Sequence, residues 1–168
     1  MNIHFKLTSK QLHKTLSDLQ RPHPYAAERL GFFGCCVSQS TDGLLVLVNS
    51  YLVVPDAQYV EDDSAGCFFD AQAMRSAMQH SLSTNESIFH VHLRGHTGTP
   101  GFSMTDLKES RAYVPDFWHV TPQLPHGSLA LSLTHAAGLC WYPGRNNPLP
   151  ITKVTAVGPR LLRLGGAQ

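Results

Sequence analysis

The sequence has little charge and almost no excess of either sign. Charged residues make up 15% of its 168 residues, and the formal net charge is +1 at pH 7. Nucleic acid and anionic membranes are therefore not expected partners, because both select for an excess of positive charge. The sequence also lacks an apolar run of about eighteen residues, which a membrane-spanning helix requires. Residues 1–7 alternate polar and apolar side chains, unlike a signal peptide. The length favours a single domain spanning residues 1–168.

Cysteine is scarce and is poorly spaced for a structural framework. The four cysteines stand at positions 35, 36, 67 and 140, and no two of them form a Cys-x-x-Cys pair. This spacing argues against a zinc ribbon and provides no disulfide framework. A reducing, cytoplasmic location is expected.

Histidine is abundant by contrast, and two of the ten histidines carry the most informative pattern. His90 and His92 alternate with apolar neighbours, so a strand would direct both imidazoles to one face. After a loop rich in Gly, Thr and Pro comes Ser103-x-x-Asp106, a pattern that predicts a helix N-terminus. Two imidazoles and a carboxylate with an open fourth position are the ligand set of a catalytic zinc site. Taken singly, these patterns are also typical of a polar strand face and a simple helix cap.

The combination of His-x-His with a later Ser-x-x-Asp resembles the metal motif of the JAMM/MPN (JAB) zinc metalloprotease family. That family also uses a Glu far upstream, and Glu28-x-x-Gly31 before an apolar run matches the pattern. The sequence departs from the motif at two points. Ten residues separate His92 from Ser103, a longer spacing than the family usually has, and Leu93 replaces the usual Pro. A longer loop is tolerated if its ends still meet.

The resemblance implies one zinc ion per chain, with His90, His92 and Asp106 as its protein ligands. Glu28 would be the general base, and Ser103 would stabilise the oxyanion. Zinc lowers the pKa of a bound water to about 7, and the resemblance implies that this water hydrolyses a peptide or isopeptide bond.

The compact chain is most similar to the stand-alone bacterial JAB peptidases, which are deubiquitinase-like. The resemblance therefore implies a ubiquitin-like protein, or its conjugate, as substrate, with modifier-activating and conjugating enzymes as further partners. Two other functions stay open. One is a catalytically inactive MPN scaffold module, and the other is a zinc hydrolase of a small amide.

Three residue-level alternatives also stay open. His96 is either a loop histidine facing solvent or a further contact to metal or substrate. Glu28 by itself could equally be a surface carboxylate or a partner for Arg29. The ending Leu161-Leu-Arg-Leu-Gly-Gly166 is similar to the tail of ubiquitin, but it is also typical of a terminal strand or helix with a glycine cap.

The predicted fold class is α/β. It is a mixed, mostly antiparallel sheet with helices packed on it, which the resemblance identifies as the MPN (JAB)-type, cytidine-deaminase-like fold. Thr8 with Gln11 and Asp70 are the expected caps of the first two helices. Helices are predicted over 8–20, 71–80 and 103–110. Strands are predicted over 2–7, 30–38, 44–49, 51–54, 88–93, 116–121, 127–133, 138–142 and 151–157. Residues 58–66 are predicted to be a solvated acidic loop or sheet edge.

Overall fold

A computed structural model describes residues 1–61, 68–159 and 161–165, and strands dominate this part of the chain. The strands are β1 (Ile3–Thr8), β2 (Leu30–Ser40), β3 (Gly43–Val53), β4 (Tyr59–Val60), β5 (Phe68–Phe69), β6 (Ser87–Leu93), β7 (His126–Leu131), β8 (Ala136–Trp141), β9 (Leu149–Pro150), β10 (Lys153–Val157) and β11 (Leu162–Gly165). The helices are α1 (Ser9–Leu19), α2 (Ala71–Thr84) and α3 (Met104–Tyr113). Two short 3₁₀ segments cover Asp56–Gln58 and Val114–His119.

Nine of these strands form one mixed sheet in the order β11-β10-β1-β3-β2-β6-β7-β8-β9, while β4 and β5 pair with each other. Within the described residues, five of the eight pairings in the large sheet are antiparallel, which confirms the predicted character. The sheet curls, since β11 near one end contacts β8 near the other. The result is a single mixed α/β domain.

Alternating side chains along the strands build two cores on opposite faces of the sheet. On one face Phe5, Phe33 and Phe89 form an aromatic group beneath α1. On the other face Phe32 and Ile88 pack with residues of α2 and of the second 3₁₀ segment. Neighbouring phenylalanines on β2 thus belong to different cores, and the first six residues of β2 are buried.

The predicted helix starts are confirmed by side-chain caps. Thr8 forms a capping box with Gln11 at the start of α1, and the Asp70 carboxylate accepts backbone N–H groups at the start of α2. Helix α2 continues beyond the predicted end at residue 80 to Thr84. It stops at Asn85, which adopts a left-handed conformation with φ of 55°.

The strand predicted over 116–121 is wrong, because this stretch lies mostly in the 3₁₀ segment Val114–His119. Pro115 stands at the start of that segment, where its fixed φ and missing N–H suit a helical turn. The N–H of Thr121 donates to the carbonyl of Phe117 at 2.9 Å. Local turn bonds of this kind take the place of a strand ladder.

Part of the predicted acidic loop and one cysteine lie outside the described residues, namely Asp62, Asp63 and Cys67. The other three cysteines are free thiols: Cys35, Cys36 and Cys140.

Candidate active site

Strand β6 carries the two histidines of the predicted site. His90 pairs with Phe32 of β2 and with Ser128 of β7. His92 pairs with Leu30 and Ala130 of the same two strands. Their rings are 5.7 Å apart between centroids, on the face opposite the aromatic core beneath α1. The predicted shared face of His90 and His92 is confirmed.

The first turn of α3 carries the other half of the motif. Ser103 is the N-cap, and its hydroxyl accepts the N–H of Asp106 at 3.1 Å. In return the Asp106 Oδ2 accepts the N–H of Ser103 at 2.6 Å. This capping box fixes the carboxylate over the turn while Ser103 stays exposed.

Glu28 stands just before β2, and its partner is Arg94. One guanidinium nitrogen, Nη1, donates to both carboxylate oxygens of Glu28, at 2.7 and 2.9 Å. The other, Nη2, donates to Asp106 Oδ2. The partnership of Glu28 with Arg29 does not form, because the buried Arg29 binds Asp56 instead, at 2.7 Å.

Sequence reasoning missed Arg94, although a signal for it was present. The residue lies two positions after His92, and β-strand alternation places positions i and i+2 on one face. Its backbone N–H donates to the Leu131 carbonyl at 2.8 Å, so the strand pairing continues one residue beyond β6. The same periodicity that brings His90 and His92 together therefore also directs Arg94 towards the site.

One cavity of about 420 Å³ brings these groups together. The residues that line it include all five of the predicted site together with Arg94: Glu28, His90, His92, Arg94, Ser103 and Asp106. Phe69 and Tyr113 contribute apolar wall, with ring centroids 6.2 and 5.4 Å from that of His90. A partly apolar cleft with a few convergent polar groups is the usual form of a small binding or catalytic site.

Burial sets the charge of the two imidazoles. It lowers the pKa of His90 to about 3, with a smaller contribution from His92, and Asp106 opposes the shift. Burial also lowers the pKa of His92, again opposed by Asp106. Burial disfavours the ionised form of Asp106 as well, but hydrogen bonds from Ser103 and the nearby positive charge of Arg94 leave its pKa below the usual range. At neutral pH the cavity therefore holds neutral imidazoles beside an ionised carboxylate.

The two histidines fit a metal, while the carboxylates are engaged elsewhere. Nε2 of His90 and Nε2 of His92 are both buried without a hydrogen-bond partner, and such an atom calls for an explanation such as a bound ion. Across the described ranges, however, no three His, Cys, Asp or Glu side chains converge closely enough to hold a metal ion. Asp106 instead bonds to the Arg94 guanidinium. The donor types suit zinc, but the third ligand would first have to leave Arg94.

The middle of the loop after His92 is bonded to the turn between β7 and β8. The Ser132 hydroxyl donates to the Gly98 carbonyl at 2.6 Å, and the N–H of Leu133 donates to the His96 carbonyl at 3.0 Å. His96 itself is exposed, and its Nδ1 lies 2.9 Å from the Thr97 carbonyl oxygen. His96 and Gly98 thus lie against the β7–β8 turn, and His96 is a surface histidine.

The ending that is similar to the ubiquitin tail forms a strand over its described residues, as one of the two predicted alternatives had it. Residues Leu162–Gly165 form β11, which pairs antiparallel with β10, and Leu164 packs against the larger core. Gly166 lies outside the described residues.

A scan against protein-family models found no match, and a search of curated proteins found none either. In the part of the chain that the structure describes, no helix is both long and apolar enough to cross a membrane.

Proposed function

We propose that this protein is a zinc-dependent isopeptidase or peptidase of the JAMM/MPN (JAB) type, acting on a ubiquitin-like protein modifier. The observation that carries the proposal is the single cavity that gathers the predicted residues around two buried imidazole nitrogens without partners. Neutral histidines are the form that binds zinc, and burial keeps both in that form.

In this proposal His90, His92 and Asp106 hold the metal. The chemistry that zinc supplies when bound is activation of a water nucleophile at neutral pH. Glu28 takes a proton from the nucleophile and later delivers it to the leaving amine, which is general acid–base catalysis. Ser103, which is exposed and lines the cavity, donates its hydroxyl to the oxyanion.

The proposed substrate is the extended C-terminal tail of a ubiquitin-like protein, linked to a target or to a precursor extension. Such a tail binds as an added strand beside an existing one, and β5 lies in the cavity wall through Phe68 and Phe69. Modifier-activating and conjugating enzymes are the proposed partners, and the proposed compartment is the cytoplasm.

A scaffold without catalysis is the second candidate function, and a specific observation favours it. Arg94 binds both Glu28 and Asp106. In a scaffold these two ion pairs would be permanent, and no metal would bind in their place. The protein would then keep the fold and the cavity without turnover.

The test combines metal content with cleavage of a ubiquitin-like fusion protein. Elemental analysis of the purified protein is expected to give about one zinc per chain. His92→Ala is expected to lose the zinc, and His96→Ala is the matched control, since it removes an exposed histidine outside the cavity. Glu28→Ala is expected to keep zinc but to lose roughly a hundredfold or more in turnover, whereas His90→Ala and Asp106→Ala lose both.

Three outcomes would contradict parts of this proposal. Absence of zinc even after reconstitution would favour the scaffold. Full activity of Glu28→Ala would remove the assigned general base. Hydrolysis of small amides without cleavage of the fusion would leave a zinc hydrolase with a different substrate.

A further inference from the structure

The cavity contains two arginines, and they are held in different ways. The side chain of Arg29 is only 2% exposed, and it binds Asp56 together with the backbone carbonyls of Arg21 and Pro22. Backbone partners do not move with a ligand, so Arg29 is a fixed structural cation.

Arg94, in contrast, is held at its guanidinium by two side chains that have other proposed roles. Its bonds run to the carboxylates of Glu28 and Asp106. Its side chain is 21% exposed, as is that of Asp106, and that of Glu28 is 31% exposed. Its backbone is bonded separately, to the Leu131 carbonyl, so displacement of the guanidinium would not require the strand to move.

A metal ion and this guanidinium would compete for the same carboxylate. Bonds between a guanidinium and a carboxylate are among the strongest that a side chain makes, and Asp106 is the proposed third ligand. A divalent cation bound by His90 and His92 would also repel a nearby positive guanidinium. Occupancy by the metal and the double ion pair of Arg94 therefore exclude each other.

We propose that Arg94 is a built-in competitor of the metal, which bridges Glu28 and Asp106 in the metal-free protein and must be displaced before the site can load. This inference rests on the proposed function, since it takes zinc as the ion that binds. Its consequence is that the metal-free state is electrostatically satisfied and the apparent zinc affinity is lowered. An equilibrium between two occupants can shift only by the difference in their affinities.

The experiment measures zinc affinity by competition with a chelating dye, together with thermal unfolding in chelator and in zinc. Arg94→Met keeps most of the side-chain stem and removes the charge. It is expected to bind zinc roughly tenfold more tightly or better, since a charge-assisted double contact no longer opposes binding. In chelator its melting temperature is expected to fall by about 2–4 °C, because two carboxylates lose their shared cation.

Two further variants make the result interpretable. Arg111→Ala removes an exposed arginine of α3 that does not line the cavity, and its zinc affinity is expected to match that of the unmodified protein. Arg94→Lys keeps the charge but cannot bridge two carboxylates with a planar fork. Its affinity should lie between those of the unmodified protein and Arg94→Met, which also provides a test if the Met variant folds poorly.

Each outcome of the zinc-binding experiment supports or overturns the proposed competition between Arg94 and the metal. Equal or weaker zinc binding by Arg94→Met would overturn the competition while leaving the zinc site intact. Zinc binding by Arg94→Met alone would support the competition and show that the unmodified protein is metal-free. Absence of binding in every variant would remove the proposed zinc site itself, and the inference with it.

Discussion

Two clusters of histidine and carboxylate groups lie at opposite ends of the same strand pair, β2 and β6. At one end, where Leu30 faces His92, lies the cavity already described. At the other end, where Gly34 and Cys35 face the start of β6, lies a cluster centred on Glu86. The two ends use similar side chains but differ in how their histidine ring nitrogens are bonded.

The Glu86 cluster is saturated with partners. His80 Nε2 lies 2.7 Å from the carboxylate, Ser50 donates its hydroxyl at 3.1 Å, and Asn49 donates its amide to the other oxygen. Burial opposes ionisation of Glu86, but these bonds, that of His80 foremost, leave its pKa below the usual range. Gly34 makes room for the cluster, because a Cβ there would lie 2.2 Å from Glu86 Oε2.

The cavity end, by contrast, leaves two buried imidazole nitrogens without partners. A folded protein pairs nearly all of its buried polar atoms, and it departs from that rule mainly at sites that serve a function. The Ser87 hydroxyl beside the Glu86 cluster is also buried without a partner, so the contrast lies in the histidines: His80 is bonded to a carboxylate, whereas His90 and His92 each leave a nitrogen unpaired. This contrast supports the proposed binding role of the cavity end.

The largest expected difference between the two ends is in the free energy of unfolding after one buried side chain is removed at each end. Glu86→Ala removes the carboxylate that bonds to His80, Ser50 and Asn49, although the Ser50 hydroxyl and His80 Nε2 still lie 3.0 Å apart. It should lower the free energy of unfolding by on the order of 3 kcal/mol. His90→Leu removes a nitrogen that has no partner, so in chelator it should change stability by less than about 1 kcal/mol. Urea denaturation of both variants checks this. If His90→Leu lost as much stability as Glu86→Ala, the two ends would not differ in their contribution to folding.

A second prediction concerns the response to acid of a buried histidine near the Glu86 cluster. His126 is bonded near the start of β6, where its Nδ1 accepts the Ile88 N–H at 2.9 Å. Burial lowers the pKa of His126 to about 4, and a hydrogen bond with Thr121 opposes this shift. The unfolded chain binds this proton near pH 6.5, so unfolding takes up a proton between pH 6.5 and 4. The free energy of unfolding should therefore fall as the pH falls through that window.

The variant His126→Asn isolates this contribution, because its amide oxygen can still accept the Ile88 N–H but does not titrate. Its loss of stability between pH 7 and 4 should be smaller than that of the unmodified protein by on the order of 3 kcal/mol. Chemical denaturation at several pH values measures the difference. Parallel pH profiles for the two proteins would show that His126 does not titrate in this way.

The smallest expected effect concerns the glycine that makes room for the saturated cluster. Gly34→Ala would place a methyl group against Glu86 and Ser50 and should destabilise the protein by about 1–3 kcal/mol. Gly101→Ala is the matched control, since a Cβ at that exposed position meets no atom within 4 Å. Thermal unfolding compares the two. Equal melting temperatures of the two variants would mean that the Glu86 cluster accommodates the added methyl group without loss of stability.

Local patterns in the sequence predicted much of the fold. Alternation predicted the strand that carries His90 and His92, and capping residues predicted the starts of α1, α2 and α3, because these features depend on neighbours within a few residues. The strand predicted over 116–121 failed for a related reason. Its apolar residues suit either a strand or a turn anchored by Phe117, and the packing of that ring beside Ile88 decides between them.

What the sequence by itself determined was which side chains share a face or a turn: the histidines on one strand, and Ser103 with Asp106 at one helix start. What only the tertiary structure decided was how those groups are paired. Glu28 and Arg94 are 66 residues apart in the chain, and they meet because β2 and β6 lie side by side in the sheet. Local sequence rules act over a few residues, whereas the pairing of charges in a cavity depends on which strands become neighbours.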